Sequence, residues 1–152
     1  MHFLSTFILT ISMFLQASGA PFFEGDIFTD KEIIKLEKEK DVNDRIKIYT
    51  NASKRIQKRL NEAASKGEFG SVPDDLNLWM ELLIKSLEDI KTNLEPGKKS
   101  KNLIKYEIQV RKSLADMEDY MIKAPLEQQD AFESSIRQAG EIRQRFVALI
   151  FP

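Results

Sequence analysis

The side chains best placed for chemistry are four cations in two adjacent pairs. Lys54-Arg55 and Lys58-Arg59 stand at i, i+1, i+4 and i+5, so a helix would gather them into one compact basic strip. Such a strip can grip a phosphate group or an acidic partner. No aromatic residues interleave with it for base stacking, so a solvated helix face is the plainer reading. Lys98, Lys99 and Lys101 form a second basic group, at a helix start where the helix dipole disfavours cations. Gly97-Lys98-Lys99-Ser100 lacks the upstream glycine, the preceding strand and the Lys-Ser spacing of a phosphate-binding loop.

Acids also come in pairs: Asp74-Asp75, Glu88-Asp89 and Glu118-Asp119. Paired carboxylates can cleave glycosidic bonds or hold Ca²⁺. Here they fall at helix starts or on polar faces, without the Asp-x-Asp-x-Asp-Gly spacing of a calcium loop. The chain has no cysteine, and its one histidine is His2. Beyond residue 20 this removes the Ser-His-Asp triad, the cysteine nucleophile and the usual zinc, haem and di-iron sites. No Ser-x-x-Lys spacing occurs either, so the histidine-free nucleophile is missing too. No cofactor, no metal and no catalytic activity are expected. A formal net charge of −1 argues against a dedicated nucleic-acid binder. Asn51-Ala52-Ser53 is a glycosylation sequon placed mid-helix, and it carries no weight.

Two apolar features remain. Trp79, Met80, Met117 and Met121, with Tyr49 and Tyr106, could line a ligand pocket, although aromatic and Met stripes at helical spacing more often form plain core. The end of the chain, from Phe146 through Leu149, Ile150 and Phe151 to Pro152, is apolar all around its last turn and a half. A bundle helix buries only one stripe. The remainder must be covered by the Phe22-Phe23-Ile27-Phe28 segment folding back, by a partner protein, or by a membrane surface.

Positioning all of these are long helices. Residues 3–15 form an uncharged apolar run of thirteen, too short for a membrane span of ~20 residues and suited to a signal peptide. The small residues at 17–20 supply cleavage positions. Residues 1–20 are thus expected to be a signal peptide cut between 17 and 20, which sends the protein to the periplasm or outside the cell. Residues 21–29 read as a linker, and 30–152 as one domain.

Thr29-Asp30-Lys31-Glu32 is a capping box that opens a short helix near 30–40. The apolar stripe changes face near residue 41, where Asp41 can cap a new helix. Stripes with steps of four and three then predict helices near 42–66, 72–95, 100–124 and 126–150. Ser71 and Asp74 read as a second capping signature. The predicted core is Ile46, Tyr49, Ile56, Leu60, Leu76, Met80, Leu83, Leu87, Ile90, Val110, Leu114, Met117, Ile136, Ile142 and Phe146.

The expected fold is all-α: an up-down four-helix bundle of long antiparallel helices with a short N-terminal helix. The alternative is an extended helical hairpin that dimerises. Segments 31–60 and 98–123 are net basic while 61–97 and 124–152 are net acidic, which favours successive helices as neighbours. The layout resembles small exported all-helical bacterial proteins of unassigned role. The likeness is one of architecture and carries no site residue over. The Leu-Thr-x-x-Gln repeats of exported helical adaptor chaperones are missing beyond residue 20. The expected role is a non-catalytic protein-binding or structural module of the cell envelope, with a carrier of small hydrophobic ligands or lipids as the alternative. A protein partner, a membrane surface or a second copy are the contacts considered.

Overall fold

The computed structural model describes residues 27–152. The expected signal peptide, and Phe22 and Phe23 of the expected linker, lie outside the described residues. The described residues form an all-helical bundle of five helices: α1 (Asp30–Lys38), α2 (Val42–Lys66), α3 (Val72–Asn93), α4 (Lys101–Lys123) and α5 (Leu126–Ile150).

Each helix starts and stops for a local reason. At α1 the capping box is formed on both sides: the Glu32 N–H donates to Thr29 Oγ1, and the Thr29 N–H donates to Glu32 Oε2 at 2.9 Å. The face change near residue 41 is a true break, with Asp41 accepting from the Asn43 N–H at 2.8 Å to open α2. Gly67 ends α2 in the left-handed region at φ 69°, and the Glu68 N–H reaches back to the Ala63 carbonyl. At α3 the Ser71 side chain makes no capping bond. Its backbone is already helical, at φ −89° and ψ −6°, and Pro73 in the first turn removes one N–H that would need a partner. Ser100 caps α4 through the Leu103 N–H.

Of the predicted core, thirteen residues are buried, while Leu114 and Ile136 are half-buried and pack against the core from its edge. The expected linker does not stay free over its last part. Ile27 and Phe28 are buried, Phe28 lies edge-on to the Tyr49 ring at 6.0 Å, and Arg55 donates to the Ile27 carbonyl. Two bulky apolar side chains before α1 gain more by covering α2 than by staying in water.

Helix α2 packs on α3 and on α4, and α5 also packs on α3 and on α4, while α1 lies along α2. Cross-helix bonds fix the directions locally. Arg45 at the start of α2 meets Asp89 near the end of α3, and Arg59 toward the end of α2 meets Asp75 at the start of α3. Asn43 and Asn61, at opposite ends of α2, meet the Ser100–Asn102 start and the Tyr120 end of α4. Two basic helices therefore run side by side in the same direction. Charge alternation favours successive helices as neighbours, and this holds for α2 with α3 and α4 with α5 but not for α3 and α4, which lie diagonally across the bundle with α2 and α5 each packed on both.

Candidate functional site

The basic strip is divided. Arg55 turns toward α1 and grips Glu32 through two nitrogens, at 2.8 and 2.6 Å. Arg59 turns toward α3 and holds Asp75 at 2.8 Å. Both are therefore committed to joining helices. The Arg55 contacts hold Glu32 below the usual carboxylate range, overcoming the burial that pushes it up. Lys54 and Lys58 point the other way and line a groove between α2 and α4. Residues at i and i+1 on a helix stand about 100° apart, so a strip that is compact in sequence serves two faces.

The acid pairs split as well. Asp75 lies in the first turn of α3, at a helix start as expected, yet it is buried, and Asp89 is buried rather than on a solvated polar face. Asp89 accepts from Arg45 Nε at 2.7 Å and Nη2 at 2.8 Å, from the Tyr49 hydroxyl, and from Asn93 Nδ2 at 2.9 Å. Arg45 also donates to the carbonyls of Leu36 and Glu39, at the end of α1. Burial opposes the Arg45 charge, but the bond to Asp89 outweighs it and raises its pKa further. Burial, then Asp89, pushes the Tyr49 hydroxyl far above the ordinary tyrosine value, so it stays a donor. With its groups bonded to one another, this is a structural tie between α1, α2 and α3. Glu107 and Arg143, 2.6 Å apart, form a similar tie between α4 and α5.

The aromatic and Met residues are core. Trp79 is fully buried and its indole N–H donates to Ser53 Oγ at 2.9 Å. Tyr106 is fully buried beside Ser86, with 2.9 Å between their oxygens, and burial raises its pKa well above the usual value. Met80 and Met117 are buried, and Met121 is half-buried. Trp79, Met80, Met117 and Met121 lie outside the lining of surface grooves of about 320–500 Å³ that flank the described bundle.

At the C-terminal end the four candidate residues divide by face. Phe146 is fully buried, its ring 5.3 Å from that of Tyr106, so it belongs to the core and not to an interaction surface. Leu149 and Ile150 are half-buried, and Phe151 is 72% exposed. Leu149 and Leu87 line a groove of about 370 Å³ between α3 and α5, rimmed by Glu88, Lys91 and Arg145.

Among the described residues no helix is long and apolar enough to cross a membrane, and no cluster of three or more His, Cys, Asp or Glu could hold a metal. In comparisons with known proteins, no family model, curated protein or solved structure matches the chain.

Proposed function

We propose that the protein is an exported, non-catalytic binding module of the cell envelope, built as an up-down bundle in which successive long helices run antiparallel. The antiparallel reading is supported by Arg45 with Asp89 and Arg143 with Glu107, which join the start of one helix to the late part of the next, and by Arg59 with Asp75, which joins the end of α2 to the start of α3. Export is supported by the uncharged run from Phe3 to Leu15 followed by Ala17, Ser18, Gly19 and Ala20.

The observation that carries the binding role is Phe151. It is 72% exposed and follows half-buried Leu149 and Ile150, of which Leu149 lines a groove together with Glu88, Lys91 and Arg145. Apolar surface rimmed by charge is characteristic of a contact with another protein. A crosslinking pull-down from the native envelope tests this. The full chain should capture a partner, and a chain truncated before Leu149 should lose it while retaining its helical circular dichroism. Equal capture by both chains refutes the reading. N-terminal mass spectrometry should find a chain that starts between Ser18 and Pro21, and intact Met1 in a soluble cytosolic fraction refutes export.

A further inference from the structure

We propose that the groove between α2 and α4 binds an acidic peptide segment of a partner protein. The inference deepens the binding-module reading and places a contact on a different helix pair from the apolar end of α5.

Charge is the first argument. Lys54 and Lys58 of α2 and Lys105 and Lys112 of α4 line two adjoining grooves of about 500 and 350 Å³ that share Lys54, with Asp116 the one acid and Lys47 a further cation among their lining residues. All four are exposed. The bridging arginines, Arg45, Arg55, Arg59 and Arg143, each meet a carboxylate. Among the described residues Lys54, Lys105 and Lys112 meet none, and Lys58 has only Glu62 at 3.9 Å. Cations gathered along one groove repel one another and concentrate a positive potential there, which an anionic ligand relieves.

The second argument comes from the floor. The Gln57 side-chain amide is buried with neither its donor nor its acceptor bonded, and Gln109 Oε1 is buried without a donor. Both residues line the same groove. An unpaired buried amide costs roughly 1–3 kcal/mol, so it gains from a ligand that brings partners. Between their ends α2 and α4 share no side-chain hydrogen bond or ion pair. Asn43 with Ser100 and Asn102, and Asn61 with Tyr120, stitch them only near the termini. The middle is open to a ligand, and Gln57, itself only half-buried, needs a side-chain rotation to meet it.

The floor also selects the ligand class. A phosphate chain or a lipid headgroup phosphate offers acceptors, which suit the lysines but leave Gln57 Oε1 and Gln109 Oε1 unbonded. A peptide backbone brings N–H and C=O together. Every lining side chain is polar, so no apolar group is there to enter a bilayer. Spacing fits as well. Lys54 and Lys58 are one helical turn apart, ~6 Å. Alternate residues of an extended strand are ~6.6 Å apart. Acids at every second position would meet the row.

Fluorescence anisotropy on the full chain tests this, with a fluorescein-labelled dodecapeptide of alternating Glu and Ser as probe. Binding should weaken as salt rises, and the double variant Lys54→Glu/Lys112→Glu should weaken it by about tenfold or more. Lys54→Ala/Lys112→Ala serves if charge reversal disturbs the melting curve, and Lys31→Glu/Lys38→Glu on α1 is the control for general attraction. Gln57→Met should weaken the peptide several-fold and short-chain polyphosphate clearly less, since only the peptide also pairs with Gln57 Oε1. The proposal is overturned by no peptide binding, by an equal loss in the α1 control, or by polyphosphate or phosphatidylglycerol vesicles binding where the peptide does not. Truncation before Leu149 should leave peptide binding intact. Loss of partner capture on truncation tests the apolar end, and peptide binding tests this groove, so either can fail alone.

Discussion

Arg45 and Asp89 meet through two parallel bonds of 2.7 and 2.8 Å, joining the first turns of α2 to the last turn of α3. Both side chains are nearly closed off from water, at 13% and 7% exposure. Arg45 Nη1 donates to two carbonyls at the end of α1, and Nη2 also reaches the Tyr49 hydroxyl. One guanidinium therefore sets the positions of three helices. In a buried pair the penalty falls on whichever partner is left alone. Asp89→Leu should lower the denaturant-derived stability by about 3–5 kcal/mol, and Arg45→Met should do the same. The double variant should recover much of the loss, because two apolar side chains leave no stranded charge. Equal losses in the double and single variants would place the cost in packing instead.

The half-buried position of Leu114 separates it from Leu83, which is fully buried, although both lie on predicted core stripes. Leu83→Ala should cost ~2–5 kcal/mol through lost contacts and the cavity left behind. Leu114→Ala should cost clearly less, about 1 kcal/mol, since water already reaches that side chain. Urea unfolding of the two variants side by side decides it. Equal costs would mean that Leu114 is covered in solution by a surface outside residues 27–152 or by another chain.

The stripes were legible because a helix repeats every 3.6 residues whatever surrounds it. Hence the positions of Ile46, Ile56, Leu76, Val110 and Ile142, and helix ends at Asp41 and Gly67, follow from residue type and spacing alone. The buried polar ties were not legible. Asp75 and Asp89 lie in paired acids that look solvated, and what buries them is a cation on another helix, sixteen residues away for Asp75 and forty-four for Asp89. A clue existed in the stripe itself: Arg45 adjoins Ile46 and lies four residues before Tyr49 on the same side of α2. The division of Lys54-Arg55-Lys58-Arg59 also depended on knowing which helices flank α2. Phe146 belongs by spacing to the core stripe and by position to the apolar end, and only the packing against Tyr106 separates those roles.

The docking of α1 should depend on acid. Glu32 accepts from both Arg55 and the Thr29 N–H, and its pKa lies below the ordinary 4.5. A carboxyl with a lowered folded-state pKa contributes stability that is present above its unfolded value and is lost as pH falls through the folded one. Hydrogen exchange of the α1 amides should therefore be slow near pH 6 and should accelerate relative to α2 as pH falls below about 4.5. Glu32→Gln should remove most of that pH dependence and leave α1 more loosely held at neutral pH. An unchanged pH profile in the variant would show that Arg55 holds α1 through the Ile27 carbonyl alone.

Trp79 gives a direct reading of whether the core opens to ligands. The indole is fully buried and its N–H is bonded to Ser53 Oγ, so the ring already has its polar partner and no water to exchange for a ligand. A carrier of fatty acids or similar molecules would have to part α2 from α3 at this bond, and the emission of the single tryptophan would shift. A closed core predicts the reverse: added fatty acid or hydrophobic dye leaves Trp79 emission and the melting temperature unchanged, since a ligand that does not bind the folded state gives no stabilisation. Ser53→Ala calibrates the probe. It strands the indole N–H in the core, should cost roughly 1–3 kcal/mol, and should alter the emission even without ligand. If the wild-type chain shifts its emission and melts higher with fatty acid, while the peptide and pull-down experiments stay silent, the carrier replaces the binding module as the reading of this bundle.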